Sequence, residues 1–115
     1  MSDRSTFLAN LAAEAVVPAR GIHSQTISNE DGVELVLFAF AAGEQLSEHT
    51  SARPAIIHVL AGEADVTVDG DTHRAGAGAW VRMAARTTHA IVARTGLVMA
   101  LYLLPPPVAG PGVEG

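Results

Sequence analysis

Cysteine is absent from the 115 residues. That excludes a disulfide framework, a thiol nucleophile and cysteine-ligated zinc. Lysine is absent too, so the seven basic residues are all arginine. Neither a Schiff-base lysine nor a phosphate-loop lysine is available. Charged residues make up only 17% of the chain, and the net charge is −5. A broad basic footprint for nucleic acid is therefore not expected. No apolar run approaches the ~20 residues of a membrane span. Met1 to Ser5 has neither the basic stretch nor the apolar core of a signal peptide. The expectation is a soluble, cytoplasmic protein that meets neither nucleic acid nor membrane.

What the chain does have is apolar mass. Hydrophobic residues make up 49% of it, which rules out a disordered polymer. The length suits one domain, 1–115, with its core over about 22–104. Phe7, Leu8, Leu11, Ala12 and Ala15 share a helical face within 5–16, with Ser5 or Thr6 as a cap and Pro18 as a stop. This predicts a short N-terminal helix, with a loosely packed arm as the competing form. Beyond it the pattern is that of strands: Ile22 to Ser28, Val33 to Ala41, Pro54 to Ala61, Ala64 to Val68, Asp71 to Ala75, Ala79 to Met83, Thr88 to Ala93 and Leu97 to Leu104. Asp69-Gly70 between two of these runs is a two-residue hairpin signal. Val33–Ala41 and Leu97–Leu104 are apolar on both faces, so both faces are expected to be covered. The tail from Pro105 is too rich in proline and glycine for a regular ladder and is expected to be extended or disordered. Many short strands with glycine turns predict an all-β antiparallel sandwich or barrel.

Five histidines are present: His23, His49, His58, His73 and His89. His23 and His73 are read as ordinary surface or structural residues. The surroundings of His49 and His89 set them apart. The stretch GEQLSEHTSARPAIIHVLAG runs from Gly43 to Gly62, and GAWVRMAARTTHAIVA from Gly78 to Ala93, with 15 residues between them. These stretches resemble the two motifs of the cupin superfamily, and VLAGEADVTVDGDTHRAGAG, Val59 to Gly78, is the most family-like part. The resemblance spans about Val33 to Leu104. It implies an RmlC-like jelly-roll barrel, a double-stranded β-helix, in a compact bacterial-type single-domain cupin, and it implies a homodimer.

The departures from the family pattern bear on function. The family's second histidine falls on Ser51 and its glutamate on Ala55. The proline and glycine of the second motif fall on Ala84 and Arg86, and its asparagine on Ala93. Of the four family metal ligands only His49 and His89 remain. Catalytic metal sites generally keep three protein ligands and an open position, and non-haem iron commonly takes two histidines and a carboxylate. The cofactor expectation therefore stands between none and a single divalent ion (iron, nickel, manganese or zinc), with the reduced ligand set weighing against the metal. His58 is the possible third ligand. If Ala55 faces inward, however, strand alternation turns His58 outward unless a bulge near Pro54 intervenes. Glu48, adjacent to His49, has the same parity problem.

His49 and His89 remain candidates for catalysis, metal binding or a metal-free acid–base pair, since imidazole titrates near neutrality. They are equally compatible with a structural remnant. By the resemblance, Trp80 and Arg82 share the face that lines the pocket, where an arginine would favour an anionic ligand. Ser51 and Ala55 would leave room for the ligand. Arg53 and Arg86 are read as surface charges near the mouth. The function expected is the binding of a small apolar or weakly acidic molecule in a barrel with a degenerate metal site. The alternatives are a metal-dependent dioxygenase or isomerase using His49, His89 and a third ligand, and a non-catalytic regulatory or structural domain. Fold-level likeness does not choose between them.

Overall fold

The structure, a computed structural model, describes residues 4–107. The proline- and glycine-rich tail lies mostly outside the described residues. Nine strands run β1 (Ile22–Glu30), β2 (Val33–Phe40), β3 (Gln45–His49), β4 (Ala55–Ala61), β5 (Ala64–Val68), β6 (Asp71–Ala75), β7 (Trp80–Met83), β8 (His89–Ala93) and β9 (Leu97–Leu103). They form two antiparallel sheets, one ordered β1-β2-β9-β4-β7 and the other β3-β8-β5-β6. This is the jelly-roll barrel expected from the sequence. Among the described residues no helix is long and apolar enough to cross a membrane.

Turn chemistry fixes much of the register. Asp69 and Gly70 have φ of 52° and 88°, the left-handed pair that a two-residue hairpin needs. They lock Val68 opposite Asp71 and Val66 opposite His73. Asp31-Gly32 repeats the device between β1 and β2, with φ of 55° and 80°.

The core lies between the sheets. Phe40, Ile57, Val59, Val66, Ile91, Leu97 and Met99 form its centre. On β4 the alternation is clean: Ala55, Ile57 and Val59 are buried, while Ile56 and His58 are only partly so. The apolar residues on the second face of β2 and β9 meet each other, Leu37 opposite Ala100 and Ala39 opposite Val98. All four are buried, and the N-terminal arm borders Leu37 and Ala39.

The predicted N-terminal helix does not form. Only a 3-10 turn, Leu11–Glu14, is present, and Asn10 before it is extended and makes no side-chain cap. A helix this short is marginal in water unless its apolar face is buried. Here Phe7 is 87% exposed and Leu8, Leu11, Ala12 and Ala15 are only half-buried, so that face is incompletely covered. The segment is the arm of the competing reading. The Gln25 side-chain amide holds it by donating to the Glu14 carbonyl at 2.8 Å.

Candidate functional site

His49 ends β3 and His89 begins β8, and the two pair directly across the ladder. Strand β3 has one apolar residue, Leu46, and is otherwise exposed except for that position. An irregularity between Leu46 and His49 shifts the register. Leu46, three residues before His49, packs on the core, so the bulge lets both positions serve the inner face. His89 is also opposite Val68, and directly opposed residues share a sheet face. His89 is buried, at 5% exposure.

The backbone sets the ring chemistry. His49 Nδ1 lies 2.7 Å from the Ser47 carbonyl, and His89 Nδ1 lies 3.1 Å from the Thr87 carbonyl. A carbonyl oxygen can only accept, so each Nδ1 carries the proton and donates. Each neutral ring then keeps its lone pair on Nε2. The ring centroids are 4.2 Å apart and the planes are tilted by 57°. Among the described residues no buried polar side-chain atom lacks a hydrogen-bond partner, so the free Nε2 of His89 opens onto accessible space. Burial lowers the His89 pKa, the Thr87 carbonyl opposes that shift, and a charge on His49 would add to it.

The residues at the other family ligand positions supply no further donor. Ala55 faces inward but has no polar atom. The Ser51 hydroxyl accepts the Arg53 backbone N–H at 3.1 Å, closing its own turn. His58 sits between inward-facing Ile57 and Val59 and opposite Trp80, on the outer face as strand alternation requires. No group of three or more histidines, aspartates and glutamates is placed to hold a metal among the described residues. The donor set does not fit a three-ligand catalytic centre.

Trp80 and Arg82 lie on the outer face of β7, contrary to the sequence expectation, although Trp80, on the edge strand, still borders an apolar cavity lined by Val66 and Val81. Met83 is buried opposite Ala55 and Val81 packs on the core, so alternation turns Trp80 and Arg82 outward. Trp80 is 59% exposed. Of the arginines among the described residues only Arg74 borders the cavity, and it is paired with Glu63 and Asp65.

Two features were missed from the sequence. Arg53 is a clamp rather than a surface charge. It donates to the carbonyls of Leu104 at 2.8 Å, Gly32 at 2.7 Å and Leu103 at 3.1 Å. It thereby ties the β1–β2 turn to the exit of β9. Arg86, at the second motif's glycine position, keeps a left-handed backbone, φ 67°, and its N–H donates to the Ser51 carbonyl at 2.7 Å.

The cavity, of about 390 Å³, is walled mainly by Ile57, Val59, Val66, Val68 and Val81 and reaches His73; neither His49 nor His89 lines it. Val68 belongs both to this wall and to the row that holds His89.

A family model described as a cupin domain matches residues 36–104. No curated protein matches the chain. Solved structures share its fold. A conserved Streptococcus pyogenes protein of unknown function is 24% identical over 91% of this chain and 92% of its own, with a TM-score of 0.79. A cupin superfamily protein from Desulfitobacterium hafniense is 25% identical over 91% and 94%, with a TM-score of 0.78. An RmlC-like cupin from Desulfovibrio desulfuricans is 24% identical over 92% and 100%, with a TM-score of 0.74. These likenesses are of fold and assign no ligand.

Proposed function

The chain belongs to the cupin domain family, and from that premise we propose that its barrel binds a small apolar or weakly acidic molecule without a complete metal centre. The observation that carries this reading is the His49/His89 pair. Two imidazoles with Nδ1 tied down leave two Nε2 acceptors, and Val68, the ladder partner of His89, belongs to the wall of the apolar cavity. A hydroxyl or protonated acid group of a ligand can donate to these acceptors. The depressed basicity of His89 keeps its ring neutral, and so an acceptor, at neutral pH.

The outer face of the five-stranded sheet supports a homodimer as part of the same proposal. Ile56 and Tyr102 are only partly buried there, and Trp80 stands exposed at its edge. Tryptophan and tyrosine are favoured at the centre of protein interfaces.

Metal content tests the reading against the enzyme alternative. The purified protein is assayed before and after incubation with Fe(II), Ni(II), Mn(II) and Zn(II). The expected result is well below one equivalent of any metal, little changed in His49→Ala. One equivalent that is lost in His49→Ala would favour a metal-dependent enzyme instead.

A further inference from the structure

We infer that the apolar cavity is itself a ligand compartment, entered at the seam between β6 and β7, which takes a small, neutral, mostly apolar ring compound bearing one hydroxyl, with His73 as its polar contact. The inference rests on reading the barrel as a ligand container and goes beyond it by naming the compartment, its polar residue and the ligand's charge.

The seam follows from topology. β6 is the edge of one sheet and β7 the edge of the other, so no backbone ladder joins them. The cavity lies along this gap, lined by His73 and Ala75 from β6 and by Trp80 and Val81 from β7. Its volume of about 390 Å³ falls at the small end of ligand pockets, about 300–1,000 Å³.

The chemistry follows from register and charge. His73 pairs with Val66, a core residue, so it shares Val66's inner face and reaches the cavity from the edge. The remaining wall is aliphatic apart from Trp80, which suits an apolar ring body. Arg74, the only cation in the lining, is already engaged. It lies 3.3 Å from both Glu63 and Asp65, and its pairing with Asp65 places it on the opposite face of the hairpin. An anion entering the cavity would lose its hydration without gaining a free cation, which is costly. A neutral hydroxyl needs only one hydrogen bond, and the His73 ring can supply it.

Three probes of one shape separate the terms: thymol (ring plus hydroxyl), p-cymene (no hydroxyl) and 4-isopropylbenzoate (anionic). Each is titrated into the ¹⁵N-labelled full chain at pH 7.5, followed through the amides of Val66, Ala75 and Val81 and the single indole N–H, that of Trp80. Thymol is expected to shift these signals and to bind more tightly than p-cymene, with 4-isopropylbenzoate weakest. His73 is exposed on an edge strand, so His73→Phe is expected to fold. It should weaken thymol about 5- to 10-fold, as loss of one hydrogen bond does, and leave p-cymene within about twofold. The inference is overturned if no probe shifts the seam signals, if the benzoate binds best, or if thymol binds equally well to His73→Phe. Thymol binding that survives His73→Phe but is lost in His89→Phe would overturn the seam compartment alone and leave the proposed function standing. Failure of the proposed function is read separately, from one equivalent of metal held by His49.

Discussion

His49 and His89 face each other across the β3–β8 ladder with ring centroids 4.2 Å apart. At that distance two neutral rings pack comfortably, whereas two imidazolium ions would repel. Each Nδ1–H is committed to the carbonyl two residues before its own histidine. The same local geometry therefore recurs on both strands and aims the chemistry of both rings through Nε2.

Stability should fall with acid through the histidine range. The folded-state pKa of His89 is lowered, chiefly by burial. Below the ordinary histidine value of about 6.5, the unfolded chain takes up a proton that the folded chain resists. The His89 contribution is complete above that value and is lost as pH falls from it toward the lower folded value. Urea unfolding at pH 7.5, 6.5 and 5.5 checks this. Stability should decrease along the series, with a shallower decrease in His89→Gln.

Arg86→Gly should stabilise the protein by about 1 kcal/mol. Arg86 holds φ 67°, a region that costs a residue with a side chain roughly 1–2 kcal/mol. Glycine removes that strain but adds freedom to the unfolded chain, so the net gain is smaller than the strain. Chemical denaturation of the two proteins measures it, and an unchanged or lowered midpoint would count against the account of this turn.

Gly62→Ala should act in the opposite direction and more strongly, by at least about 2 kcal/mol. Gly62 has φ 88°, and a Cβ there would run into the Gly96 carbonyl oxygen, which is backbone and cannot rotate away. Strain at a special φ and overpacking are both among the mechanisms of large destabilisation. A melting temperature equal to that of the parent would show that the turn yields.

The proposed homodimer should appear as a twofold mass in light scattering at micromolar concentration. Trp80→Lys, which places a charge on the exposed edge of the outer face, should shift the mass toward the monomer without loss of folded signal. A parent protein that is monomeric at micromolar concentration contradicts the dimer.

Much of the fold was legible because apolar alternation and turn chemistry agreed. The β5–β6 hairpin matches its expected bounds, since Asp69-Gly70 sits between runs of the right length. β3 was not legible, because Gln45–His49 is an edge strand with one apolar residue and a bulge. The inward face of β7 was misassigned by carrying parity over from the motif. The burial of Met83 opposite Ala55 decides it the other way. His73 offered a signal that went unused. Once the hairpin fixes Val68 opposite Asp71, Val66 must oppose His73, which puts an imidazole on the inner face of a strand with no apolar pattern of its own. That Ser51 and Ala55 stand at two of the family's ligand positions is read directly from the sequence, whereas the ring tautomers depended on carbonyls that only the folded backbone positions.

The central claim is that both site imidazoles offer Nε2 lone pairs, and long-range ¹H–¹⁵N correlation spectra of the histidine rings at pH 7.5 test it most directly. The account predicts a protonated Nδ1 and a bare Nε2 for both His49 and His89. An Nε2–H tautomer on either ring, or a fully protonated His89 at that pH, would contradict it.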